Sequence, residues 1–160
     1  MTRLEKCELL KSKGYTYDPD TGKIFGIYGK EIINKNENGY IIITTKILKG
    51  KLRAHHFAWY MVYGNVDFEQ IDHINRNRSD NRIKNLRNVT NHENQFNTNA
   101  KGYYWDKSKK KWRAAIRINY DQFHLGFFDI EEDARNAYLE AKEKYHIIKN
   151  PQVNQTRGLL

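Results

Sequence analysis

Asp72 and His73 stand side by side at the head of the run "DHINRNRSDNRIKNLRNVTNHENQFN", which is crowded with asparagine and arginine as far as Asn97. Asparagine is a poor helix former and neither acid nor base, so its abundance needs a reason of its own. Hydrolysis of a phosphodiester requires an activated water and stabilisation of charge on the phosphoryl and leaving oxygens. A neutral imidazole can supply the first and a single hard cation the second. Magnesium takes oxygen ligands, one or two of them from protein, with water and substrate phosphate completing the octahedron. An Asp carboxylate with an Asn carbonyl oxygen meets that need. It also leaves the site less anionic than two carboxylates would, which suits a phosphate substrate. Carboxamides can equally hold a loop by hydrogen bonds without adding charge.

The elements that must carry these residues are legible in outline. "YDPDTGKIFG" and "NKNENGYIIITTKIL" combine turn signals with short β-branched runs, so residues 15–53 read as strands and turns. "AHHFAWYMVYG" is apolar on nearly every side and stops at Gly64, which predicts a short buried helix over 54–63. From Asp72 to Asn97 we expect a strand end, a polar loop and a helix, because Ile83, Leu86 and Val89 recur at helical spacing. Asp80 and Asn81 read there as helix-capping residues. "NQFNTNAKG" is polar and aperiodic, so a boundary is placed near Asn99.

After that boundary, "GYYWDKSKKKWRAAIRINYDQFHLGFFD" alternates as a three-stranded antiparallel sheet, with turns at 107–110 and 119–121. "DIEEDARNAYLEAKEKYH" follows as an amphipathic helix. Asp129 is its expected N-cap, with Glu132 closing a capping box. Its apolar stripe comprises Ile130, Ala134, Ala137, Tyr138, Ala141 and Tyr145, and the tail after Ile148 is expected to fray.

Composition narrows the partner. The chain has 160 residues, a formal net charge of +9 and a pI near 9.5, enough for one ordinary domain or two small ones. Such a basic excess favours a polyanion, nucleic acid before an anionic membrane. No apolar run approaches the roughly 20 residues that span a bilayer. The N-terminus "MTRLEKCELLKSKG" lacks the apolar core of a signal peptide, so an intracellular, cytoplasmic protein is expected. Cys7, the one cysteine, allows no internal disulfide and no cysteine-built structural zinc site, and reads as a packing residue.

"IDHINRNRSDNRIKNLRNVTNHENQFN", with "RAHHFAWYMVYG" ahead of it, resembles the HNH endonucleases, especially the homing endonucleases of phage introns. The likeness covers residues 15–97. It implies that Asp72 and Asn94 are metal ligands, that His73 is the general base, and that Asn85 braces a ββα-metal loop. His55 takes the position of a family histidine, beside the site or a phosphate. Many members have histidine at the last position, where this chain has Asn94 as the phage intron subgroup does. The implied cofactor is one Mg2+ or Mn2+ per site.

The segment from Lys101 to Arg117 holds seven Lys or Arg against Asp106 alone. Strand alternation from Trp112 sends Trp112, Ala114, Ile116 and Ile118 one way and Arg113, Ala115 and Arg117 the other. One face suits the helix, and the other can offer guanidinium groups to DNA. "WRAAI" and "HLGFF" within this stretch resemble the Apetala-type domain of plant ethylene-response factors. That resemblance implies DNA contacts from Arg117, Gln122 and His124 with Arg113 beside them, and from Trp105 and Lys107. Lys109 and Lys110, on a turn, are read as phosphate contacts.

The expected protein is thus α+β. A ββα-metal nuclease module (1–98) precedes a three-stranded sheet packed on one helix (99–160), acting as a monomer on double-stranded DNA. The rival reading is a sequence-specific DNA-binding protein that does not cut.

Overall fold

In the computed structural model, residues 1–98 and 100–148 are described. They fall into two compact units that divide between Thr90 and Asn91. Asn99 and the tail beyond Ile148, where a boundary and fraying were expected, lie outside the described residues.

The first unit opens with helix α1 (Arg3–Ser12), started by a capping box. Thr2 Oγ1 accepts from Glu5 N–H, and the Glu5 carboxylate accepts from Thr2 N–H. Its buried residues, Cys7 and Leu10, join Ile24, Ile43, Leu48, Leu52, Ala54, Phe57 and Tyr60 in one core. Four two-residue strands frame that core. β1 (Thr16–Tyr17) pairs antiparallel with β2 (Ile24–Phe25), and β3 (Ile42–Ile43) with β4 (Leu52–Arg53). The Asp18 side chain ties the intervening turn by accepting from Asp20 N–H, Thr21 N–H and the Thr21 hydroxyl.

Helix α2 spans Ala54–Tyr63, as its unbroken apolar character predicts, and ends at Gly64 in the left-handed region with φ of 70°. It buries Ala58 and Trp59 against Phe68, Ile71 and Leu86. Strand β5 (Gln70–His73) then pairs antiparallel with β6 (Leu86–Val89).

The helix expected through Ile83, Leu86 and Val89 does not form. Ile83–Asn85 make a single 3-10 turn, and the chain then extends as β6. Three apolar residues at intervals of three fit a tight turn running into a strand as well as they fit a helix. Pairing with β5 satisfies the backbone while still burying Leu86 and Val89.

The second unit begins with the short helix α3 (Asn91–Asn94) and continues as the sheet β7 (Tyr103–Asp106), β8 (Lys111–Ile118) and β9 (Asp121–Phe128), in that order. Helix α4 (Glu131–Tyr145) lays Tyr138 and Ala141 on Ile116, with Tyr103, Ile118 and Leu125 around them. The expected Asp129 cap is absent. Ile130 is the N-cap residue, Glu132 bonds Arg135, and Asp129 pairs with Lys111. The cause is register: Phe128 sits opposite Trp112, so Asp129 emerges beside Lys111. Ile130 and Tyr145, the two ends of the expected stripe, are exposed.

Candidate functional site

Asp72 and His73 end β5, and the polar loop from Ile74 to Lys84 returns the chain to β6. Asparagines build that loop. Asn85, buried beneath it, donates from Nδ2 to Asn75 Oδ1 (3.0 Å) and to the Asp80 carbonyl (2.8 Å). Its Oδ1 accepts from Asn75 N–H (3.0 Å), and its backbone carbonyl accepts from Ile74 N–H. Asn75 and Asn77 each accept from the backbone N–H two residues on. A carboxamide both donates and accepts, so one residue can lock two strands of a loop without charge. Asp80 closes the arrangement by accepting from Asn75 Nδ2 and gripping Arg82 at Nε and Nη2.

His73 is only 3% exposed, and its Nε2 lies 3.1 Å from Asn81 Oδ1. The ring of His55 meets that of His73 edge-on, with centroids 5.0 Å apart. His56 in turn meets His55 edge-on at 4.5 Å. Burial pushes the His73 imidazole below its ordinary range, against the Asn81 hydrogen bond and the carboxylates of Asp72 and Asp80, which raise it. Burial and the neighbouring imidazoles push His55 further down, and burial with Arg3 and Arg53 holds His56 at about 3. All three imidazoles are therefore neutral at pH 7, the state a proton acceptor needs. Tyr40 packs on His55 and His73, and the guanidinium groups of Arg53 and Arg78 each lie 5.0 Å from its ring centre. Positive charge is thus gathered close to His73, as an anionic substrate would require.

Residues 52–96 match the family model described as HNH endonuclease. No curated protein and no solved structure matches the chain. The HNH segment runs from β4 through α2, β5, the asparagine loop and β6 to Phe96, just past α3. It contains His55, Asp72, His73, Asn85 and Asn94. The first four belong to the first unit, and Asn94 lies half-buried on α3 in the second.

Asp72 is 9% exposed, and one of its carboxylate oxygens is held by Arg87. Among the described residues, no group of three His, Cys, Asp or Glu side chains is arranged to hold a metal ion. Asp72 and Asn94, the ligands that the resemblance implies, carry a carboxylate and a carboxamide, the kind of hard oxygen donor that a magnesium-like ion takes together with water and phosphate.

In the second unit, strand register sorts the basic residues. Arg113 faces Tyr104 and Phe127, Ala115 faces His124, and Arg117 faces Gln122. Arg113, Arg117, Gln122 and His124 therefore share the face opposite Ile116 and α4. The Arg113 guanidinium lies over Tyr104, the His124 ring packs on Phe127, and Lys109 reaches over the same Phe127 ring. Trp105 is placed differently. It stands opposite Trp112 and packs on it edge-on at 5.6 Å, on the helix side of the sheet. Lys107, Lys109 and Lys110 are exposed on a turn fastened by Asp106, whose Oδ1 accepts from Ser108 N–H, Ser108 Oγ–H and Lys109 N–H.

Three participants escape sequence reasoning. Arg87 reaches Asp72 only through the β5–β6 register, and Tyr40 reaches the histidines from a distant turn. Asn81, expected as a cap, instead carries the contact to His73. None of these has a signal in local spacing.

Proposed function

We propose that the protein is a metal-dependent DNA endonuclease of the HNH type. The observation that carries this reading is His73, a buried neutral imidazole next to Asp72, above a carboxamide-locked loop, in a segment that matches HNH endonucleases. His73 accepts the proton of the attacking water, and water oxygen bonds to phosphorus as the bond to the 3′-oxygen breaks. The departing 3′-oxygen takes a proton from solvent, so products carry 5′-phosphate and 3′-hydroxyl ends. Asp72 would offer a carboxylate oxygen to one Mg2+ or Mn2+, and Asn94 is the second ligand that the resemblance to the HNH family implies. A bound ion would offset charge on the phosphoryl and leaving oxygens. Asn85 keeps the loop in place, and His55 supports the His73 ring.

The sheet of the second unit is the targeting surface in this reading, an Apetala-type module. Arg113, Arg117, Gln122 and His124 are turned to double-stranded DNA, and the turn lysines to phosphate. We further propose a homing type like that of phage introns, working as a monomer inside the cell. Incubation of the full chain with supercoiled plasmid and magnesium tests the reading. Nicked or linear product that vanishes with chelator supports it. A plasmid that is bound but never relaxed would leave the rival, a DNA-binding protein without cleavage.

A further inference from the structure

Two buried asparagines in the loop do different work. Asn85 holds backbone to backbone. Asn81, 1% exposed, points its carboxamide oxygen at His73 Nε2 from 3.1 Å. It caps nothing: the 3-10 turn begins at Ile83, its N-cap residue is Arg82, and no side chain caps it. We infer that Asn81 is a positioning residue for His73, setting both the tautomer and the orientation of the proposed general base. This inference rests on the nuclease reading above.

The tautomer follows from the partner. With its oxygen turned to the ring the carboxamide only accepts, so Nε2 carries the proton they share, and Asn81 Nδ2 is left buried with no partner among the described residues. The lone pair then resides on Nδ1, and Nδ1 takes the proton of water in the cleavage step. Nε2–H stays donated to Asn81 throughout, and the carbonyl dipole steadies the imidazolium as it forms. A second-sphere acceptor of this kind orients a ring much as an aspartate does in a catalytic triad, but without introducing a charge.

The surroundings make Asn81 the fixed partner. Its backbone carbonyl accepts from the Tyr17 hydroxyl at 2.7 Å. Gly22, with φ of +74°, presses on its backbone so closely that a Cβ there would lie 2.6 Å from the Asn81 carbonyl carbon and 2.4 Å from Arg82 N. On one side Ile83 N–H bonds the Pro19 carbonyl, and across Asn81 the Asp80 carboxylate clasps Arg82. The β1–β2 turn thus sets the backbone of Asn81, whose side chain in turn sets the ring. His55 blocks the ring edge-on from another direction. Sequence separation hides the device, since Tyr17 and Asn81 are 64 residues apart.

Long-range proton–nitrogen correlation spectra of the full-length, 15N-labelled protein at pH 8, without metal or DNA, report the tautomer of His73. The expected spectrum shows Nε2–H as the dominant form in the wild type. Asn81→Leu should mix the two tautomers and slow single-turnover plasmid cleavage about 10–100-fold, with DNA affinity unchanged. Asn81→Asp, which keeps an acceptor oxygen, should restore the tautomer and most of the rate. A dominant Nδ1–H form in the wild type would overturn the inference, and so settles it even if Asn81→Leu does not fold. Asn81→Leu with a wild-type tautomer and rate overturns it too, as does an Asn81→Asp no better than the leucine variant. A wild type with the expected tautomer that never cuts DNA would instead sink the nuclease reading and leave the Asn81–His73 hydrogen bond standing.

Discussion

Arg87 donates from Nε at 2.9 Å and from Nη2 at 2.6 Å to the same carboxylate oxygen of Asp72. The two residues face each other across the β5–β6 pair, and both side chains are mostly shielded from water. Removing one partner of such a pair strands the other charge, at about 3 kcal/mol. Arg87→Met should therefore lower stability by roughly that much in urea denaturation. It should also tighten manganese binding, because a cation beside the proposed ligand is gone. Calorimetric titration checks the second effect. Manganese affinity unaltered in both Arg87→Met and Asp72→Ala would remove Asp72 from the metal site.

His73→Ala should slow cleavage by about 10²–10⁴ while DNA affinity stays near wild type, since a general base acts in the chemical step. Single-turnover cleavage and gel-shift titration on the same duplex separate the two effects. Wild-type turnover in this variant would take His73 out of the mechanism.

Asp80 gives the loop an acid limit. The Arg82 side-chain hydrogen bonds come first among the causes that hold its carboxyl at about 2, against an ordinary value of 3.8. A carboxyl lowered on folding adds stability above its unfolded pKa and loses it as pH falls through the folded value. Unfolding free energy should thus drop by about 1–2 kcal/mol between pH 4 and pH 2 on this account, allowing for screening because Arg82 is partly exposed. Asp80→Asn should lack that component. Denaturation curves across this range test it, and identical acid slopes in the two proteins would refute it.

Arg117 and the turn lysines should fail in different ways. Arg117 projects from near the end of β8 beside Gln122, on the face opposite α4, so Arg117→Ala should relax preference at one base position by about 1–3 kcal/mol. Lys109→Ala or Lys110→Ala should weaken all sequences alike and reduce the salt slope by about one each. Binding selections at two salt concentrations distinguish them. If Arg117→Ala keeps the preferred sequence and loses affinity only, the sheet is an electrostatic clamp and specificity lies elsewhere.

Much of this protein was legible without coordinates wherever a pattern is local. The apolar run 54–63 stopped by Gly64 is helix α2, and the alternation from Tyr103 to Phe128 is a three-stranded sheet. Helix α1 had a local sign too, the pairing of Thr2 with Glu5, but its sparse apolar residues gave no periodicity to draw notice. Residue chemistry alone pointed to Asp72, His73 and oxygen-rich carboxamides. What spacing could not say is which asparagine does what, because the answer depends on partners far along the chain. Asn85 turns inward to Asn75 and Asp80, while Asn81 is pinned by Tyr17 and Gly22 and so meets His73. Likewise Ile83, Leu86 and Val89 carried a helical interval, and Gln70–His73 drew the last two into a strand. Side-chain type is a property of the sequence. Which hydrogen bond a buried side chain makes is decided only when packing removes water and leaves it one partner within reach.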